Sequence, residues 1–330
     1  MGQAGRRRFL IAASGALAAA PFGLRAQTGG TRRIGILATS RTTWFEFGLD
    51  RAFKSELARL GWKEGRDLAF EFRFIESDYA RTSPLIQELI DGGAELLVVV
   101  GGTTNVAVAK SLTSTVPIVM FTARDPVKFG VISSLAHPGG NVTGLAWPSI
   151  DWGKYLELGR ELLGDGAPIG MIANPRNVVY ADYIAQNEAA ARRLRIELRS
   201  YPAATVAQIR EAFAEMAGSG VALAFVGPDA VYTANMRDVC AEAVKDRLAI
   251  IGAIKPAAQA CAVASLMPDF DYIARRTSWY VDRILRGAKP AELAVEQPDK
   301  FVLVVNLKAA KAIGIAVPQS MLLRADEVIE

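Results

Sequence analysis

Few side chains in this chain of 330 residues are suited to metal or nucleophilic chemistry: it has one histidine, His137, and two cysteines, Cys240 and Cys261. The cysteines do not form a CxxC pair, and one histidine cannot complete a usual zinc set. They are either two small buried residues or, in an oxidising compartment, a disulfide. His137 lies in "LAHPGGNVTGLA", with Pro138, Gly139 and Gly140 beside it and no acid or nucleophile pattern nearby. That composition reads as a turn between elements, not as a catalytic loop. The phosphate fingerprints GxxxxGK[ST] and GxGxxG are both missing from the sequence. No catalytic residue, no metal and no cofactor is expected.

The chemistry on offer is hydroxyl, amide and carboxylate chemistry at the ends of apolar runs. In "VVVGGTTNVAVAK" a strand pattern ends in two glycines and a helix pattern begins at Gly102, Thr103 and Thr104. Free N–H groups at a helix start favour an anion, and the threonines add hydroxyl donors or simply cap the helix. "ATSRTTWF" offers Thr39 and Ser40 as donors and Trp44 either as a cover for an apolar ligand or as core packing. "FTARDP" offers Thr122, and Asp125 as either an ammonium partner or a turn residue before proline. Asn174, Tyr180 and Asp229 end the matching runs later in the chain, with Tyr180 placed to stack on a ring and Asp229 as the rival ammonium partner.

These loops need strands and helices to hold them, and the chain supplies such elements twice. Ile34-Gly35-Ile36-Leu37-Ala38 lines up with Ile169-Gly170-Met171-Ile172-Ala173. "GAELLVVVGGTTN" is answered by "GVALAFVGPDA", and "VPIVMFTARDP" by "LAIIGAIKP". Apolar strand runs alternating with helical patterns argue for parallel sheets flanked by helices, here in two lobes. Ligands of such sheets sit beyond the carboxyl ends of the strands, where the candidate residues fall. "HPGGNVTG" lies between the two series and reads as a crossing, with Gly144 as a second flexible point.

The first residues read as an export signal. Arg6, Arg7 and Arg8 precede an apolar run from Phe9 to Ala20, then Pro21 and a small residue at Ala26. The run is too short to span a bilayer, which takes about 20 apolar residues. Its order is that of a cleavable signal over residues 1–26, cut near Ala26, and the paired arginines before Phe9 and Leu10 resemble a twin-arginine signal. Of the 38 Lys and Arg residues, Arg6, Arg7, Arg8 and Arg25 fall in that segment, leaving 34 against 34 Asp and Glu. No basic excess remains for nucleic acid or an anionic membrane.

From about Arg33 onward the chain resembles the substrate-binding proteins of ABC transporters. "ELARLGWKEGRDLAFEFRF", "GVISSLAHPGGNVTGL", "YVDRILRGAKPAELAVEQPDKFVLVVNLKAAKAIGI" and "LLRADEVIE" carry the likeness in order. Members usually have arginine where this chain has His137, which agrees with a non-catalytic histidine. The resemblance implies a two-lobed α/β periplasmic-binding-protein fold of type I character. It places lobe 1 at 31–141 plus 264–290 and lobe 2 at 145–260 plus 293–330, with crossings near 141–145, 260–266 and 290–296. It further implies a monomeric periplasmic receptor that closes on a small-molecule solute and hands it to an ABC permease in the inner membrane. An aromatic or aliphatic amino acid is the ligand class it suggests, with an aromatic carboxylate as the alternative. Two other functions are open to such a fold. A periplasmic enzyme would turn its ligand over, and a transcriptional regulator would carry a helix-turn-helix where this chain has an export signal.

Overall fold

Ile34, Ile36 and Ala38 point into one core while Leu37 points into another, and Ile169, Met171 and Ala173 do the same opposite Ile172. Strands buried on both faces read as continuous apolar runs, which is why the two series match in the sequence. The shared glycine has a packing reason in each copy. A Cβ on Gly35 would meet Leu97 Cδ2 at 2.8 Å, and one on Gly170 would meet Met216 Sδ at 2.8 Å. The computed structural model describes residues 30–46, 48–76, 78–147 and 151–330. The export signal over residues 1–26 lies outside them.

Twelve strands among the described residues form two sheets. β1 (Arg32–Ala38), β2 (Leu68–Phe74), β3 (Leu96–Val99), β4 (Ile118–Ala123) and β5 (Val142–Ala146) make the first, in the order β2-β1-β3-β4-β5. All its pairings are parallel. β6 (Ile169–Ala173), β7 (Leu198–Pro202), β8 (Leu223–Val226), β9 (Ala249–Gly252), β10 (Ala264–Pro268), β11 (Phe301–Asn306) and β12 (Glu327–Ile329) make the second, in the order β12-β11-β10-β9-β8-β6-β7. Only β10 and β11 run antiparallel there. Helix Phe270–Leu285 returns to the first lobe, where Ile273, Tyr280, Val281 and Ile284 pack with Ile34 and Phe53.

The chain crosses between the lobes three times, each time later than the sequence reading places it. β5 is a full member of the first sheet, so the first crossing follows Ala146 and does not occupy 141–145. β10 pairs with β9 and β11, so 264–268 belong to the second lobe and the crossing comes at Asp269. Glu296 still bridges Leu145, so the third crossing follows it. The physical reason is pairing: each expected crossing satisfies its backbone groups within one lobe, in a sheet, a bridge or a helical turn. Gly144 is likewise no flexible point. It holds φ +122° within β5, where a Cβ would run into the Met120 backbone. The crossings lie side by side, with Gln297 Nε2 donating to the Trp147 carbonyl at 3.5 Å and Asp269 N to the Lys300 carbonyl at 3.3 Å.

The "HPGG" stretch is a turn before β5. Ser134 Oγ exchanges hydrogen bonds with the His137 backbone, and Asn141 Nδ2 donates to the Thr113 and Val116 carbonyls. His137 is exposed at the amino end of β5, the end of the sheet remote from the inter-lobe loops.

Candidate functional site

The loops after β1, β3, β4, β6, β8 and β9 face one another across the lobes and enclose a cavity of about 120 Å³. Thr39, Gly101, Gly102, Thr103, Thr122 and Arg124 come from the first lobe. Asn177, Pro228, Asp229, Thr233 and Ile254 come from the second, and Phe121, Phe270, Trp147 and Leu49 give the wall an apolar side. A smaller hollow adjoins it, sharing Arg124, Asn177 and Asp229 and bordered by Asn174, Tyr180 and Tyr183.

Asp229 is the acid of the site. Its Oδ1 accepts from Asn174 Nδ2 at 3.0 Å and from Val231 N at 2.9 Å. Its Oδ2 accepts from Asn177 Nδ2 at 2.8 Å and from the Tyr79 hydroxyl at 3.3 Å. All four donors are neutral. Burial pushes the carboxyl above its ordinary value, against the pull of those hydrogen bonds. The Val231 bond makes Asp229 the cap of helix Ala230–Ala234, so one side chain serves both the helix and the cavity.

Arg124 is the base. Its guanidinium carbon stands 4.2 Å from the ring centre of Trp152 and 4.9 Å from that of Tyr183, both in the second lobe. A cation over aromatic faces gains about 0.5–2 kcal/mol, more as water is excluded. Nη1 is sealed from solvent without a hydrogen-bond partner, and burial lowers the guanidinium pKa from its ordinary value. Neither Arg124 nor Asp229 belongs to an ion pair among the described residues. Two opposite charges, one from each lobe, therefore line one cavity without an ion-pair partner in contact, the carboxylates of Asp125 and Asp182 acting on Arg124 only from a distance.

Residues 49–329 match the sequence model of a family described as ABC transporter substrate binding protein. The chain belongs to that family. It is a receptor for small-molecule solutes that serves an ABC transporter. A curated relative, the tyrosine-binding protein of Clostridioides difficile (strain R20291), is 24% identical over 271 residues, which cover 81% of this chain and 77% of the relative. The ABC domain in complex with L-Trp from Streptococcus pneumonia has the same fold, with a TM-score of 0.81 at 22% identity over 91% of this chain and 100% of that one. So does a conserved domain protein from Vibrio cholerae, with a TM-score of 0.83 at 24% identity over the same shares. ABC substrate-binding proteins work outside the cytoplasm, and no helix among the described residues is long and apolar enough to cross a membrane.

The candidate residues read from the sequence separate into three groups in this ABC substrate-binding protein. Thr39, Gly102, Thr103, Thr122 and Asp229 stand in the cavity wall, and Asn174 and Tyr180 border the adjoining hollow. Ser40, Trp44, Thr104 and Asp125 lie off the wall. Ser40 Oγ accepts from Thr43 N at 3.1 Å and so caps the short helix Thr42–Glu46. Trp44 is fully buried against Phe53, Phe72 and Phe121, its indole N–H donating to Asp50 Oδ1 at 3.1 Å. Asp125 holds φ +43° in a turn whose carbonyl accepts from Phe129 N. Even within the wall, Thr103 is occupied: its hydroxyl donates to the Arg124 carbonyl at 2.9 Å and accepts from Arg124 N at 2.8 Å. Thr104 reaches across the lobes, donating to Asn177 Oδ1 at 3.1 Å.

Arg124, Tyr79, Asn177, Trp147 and Phe270 were not among the sequence candidates. Arg124 stands between Thr122 and Asp125, two residues that were. Asn177 lies three positions after Asn174 in "ANPRNVVY". The available signal was the loop itself; which side chain turns inward is set by the opposite lobe.

Proposed function

We propose that this ABC substrate-binding protein is a receptor for an aromatic amino acid, held as a zwitterion between Arg124 and Asp229. The observation that carries the reading is the pair of opposite charges in one cavity, neither of them in an ion pair. An α-amino acid supplies a carboxylate for the guanidinium and an ammonium for the aspartate. Phe121, Phe270 and Trp147 offer its side chain an apolar, aromatic wall. The tyrosine-binding relative and the L-Trp complex support an aromatic side chain. Charge-assisted bonds to a carboxylate contribute about 1.5–3 kcal/mol each.

The sequence at Arg6, Arg7, Phe9 and Leu10 supports export by the twin-arginine route, with the signal removed near Ala26. The working form in this reading is a periplasmic monomer that hands its ligand to a permease in the inner membrane. Its three crossings act as a hinge.

Calorimetry with L-tyrosine, L-tryptophan and L-phenylalanine, each beside its deaminated carboxylate, tests the ligand. The amino acids should bind at least about tenfold tighter than their deaminated partners, a difference of about 1.4 kcal/mol. Asp229→Ala should erase that gap. Equal binding of both series to the wild type would leave Asp229 a structural residue and turn the reading toward an aromatic carboxylate.

A further inference from the structure

A disulfide joins Cys240 to Cys261, 21 positions apart, and it stands behind the cavity instead of in it. Cys240 lies in helix Met236–Lys245, and Cys261 directly follows helix Lys255–Ala260. Each helix leads back to the wall. The first continues from Ala230–Ala234, which together with Asp229 carries the wall residues Ala230 and Thr233. The second begins just after Ile254, a wall residue from the loop after β9. The crosslink thus ties together two pieces of wall that hang from the neighbouring strands β8 and β9.

The second piece needs such a tie. Helix Lys255–Ala260 has six residues and no side-chain cap at Ile254. So short a helix has no stability of its own and depends on what holds it. Its far end is anchored to β11, because Asn306 Nδ2 donates to the Ala258 carbonyl at 3.0 Å. Toward the Asp229 side it has a core cluster that Ala257 and Ala262 share with Val239 of helix Met236–Lys245, and the disulfide. Both cysteines are only partly buried, within reach of a small thiol.

We propose that Cys240 and Cys261 are a positioning pair whose oxidation state sets ligand affinity. The disulfide holds Ile254 at a fixed distance from Asp229 and Thr233; the dithiol form stays folded, but that wall is slack. Reduction by a small dithiol transfers two electrons and two protons to the bridge, giving two cysteine thiols and a cyclic disulfide of the reductant. On the export route proposed above, the chain passes from a reducing to an oxidising compartment, so it is a weak receptor inside the cell and a tight one outside. The inference rests on the ligand site proposed above.

Two readouts test it on the mature chain. Affinity for L-tyrosine and L-tryptophan is measured on oxidised, reduced and reoxidised wild type and on C240S/C261S. Hydrogen exchange at 253–258 is measured on the same samples without ligand. Reduction should weaken binding by about tenfold or more, reoxidation should restore it, and the double variant should match the reduced protein with or without reductant. Exchange at 253–258 should quicken while far-ultraviolet circular dichroism stays unchanged. Unchanged affinity or unchanged exchange overturns the proposal. Global unfolding of both the reduced wild type and the variant overturns it as well, since the bridge would then hold the fold and not the site. If the oxidised protein binds no aromatic amino acid, the ligand reading fails, and the exchange measurement still decides the role of the bridge.

Discussion

Arg124 carries its charge into a site where two threonine hydroxyls of the adjoining helix are already engaged. The hydroxyl of Thr103 is spent on the Arg124 backbone, and that of Thr104 on Asn177. Arg124→Met should therefore weaken amino-acid binding by about 10–150-fold, the loss of a charge-assisted bond of about 1.5–3 kcal/mol. Arg124→Lys should fall between, because an ammonium keeps the charge but not the flat stack on Trp152 and Tyr183. Calorimetry that found Arg124→Met equal to wild type would move the carboxylate elsewhere. Asp229 adds a pH dependence whose sign follows from its surroundings. Burial raises its carboxyl pKa in the empty protein, and a bound ammonium lowers it again. Between the two values the empty form holds a proton that the complex does not. Binding then expels a proton, and affinity falls as pH drops through that range, whose upper end lies above the ordinary carboxylate value. Calorimetry in two buffers of different ionisation enthalpy should register that release within the range. Proton uptake in its place would mean that Asp229 does not meet the ammonium.

Strands and turns were legible in the sequence where a local rule decided them, and the site was legible only as far as its loops. Ile34–Ala38 and Ile169–Ala173 announced two parallel sheets because strands buried on both faces leave an unbroken apolar signature. Gly101 and Gly102 announced a tight strand-to-helix turn, and they hold φ +109° and +83° at the start of helix Gly102–Leu112. What no local rule fixes is which side chain a loop turns inward. Trp44 and Arg124 both follow closely on a strand end, yet Trp44 is drawn into the core by Phe53 and Phe121, while Arg124 is drawn across the cleft by Trp152 and Tyr183. Those partners are distant in sequence, so the choice becomes visible only in the folded chain. The same reasoning makes the glycine turn a test at this scale. Gly101→Ala would place a Cβ at positive φ, 2.9 Å from Thr39 Cγ2 and harder still against Asn105 Nδ2. Asn105 is fully buried and ties the Val100 carbonyl to the Thr82 hydroxyl, so it cannot step aside. The strain of a non-glycine residue in such a region costs about 1–3 kcal/mol. Gly101→Ala should lower both melting temperature and affinity, whereas Gly140→Ala, with open space around it, should change neither.

At the scale of the whole molecule, the contacts that span the lobes differ in what they can contribute to closing. Tyr79 meets Asp229, Thr104 meets Asn177 and Val178, Arg124 enters the Trp152–Tyr183 corner, and Lys128 pairs with Asp182 at the rim. The first three border the cavity or its adjoining hollow, and the last has its cation in water, with the Lys128 side chain 58% exposed against 17% for Asp182. A pair with one partner so exposed contributes about 0–1 kcal/mol and is screened by salt. A ligand shifts the open–closed balance only by what it gains in one state over the other, so the inner contacts should dominate. Lys128→Ala should thus weaken binding by less than about fivefold, and that small loss should vanish at high ionic strength. Arg124→Met should keep its larger loss at any salt concentration, because its partners are sheltered. Small-angle scattering separates closing from contact. Saturating ligand should shrink the wild type and Lys128→Ala to the same radius of gyration, since the ligand and not the rim pair closes the lobes. If Lys128→Ala bound its ligand but stayed extended, the rim pair would be the latch and the cavity charges only its lining.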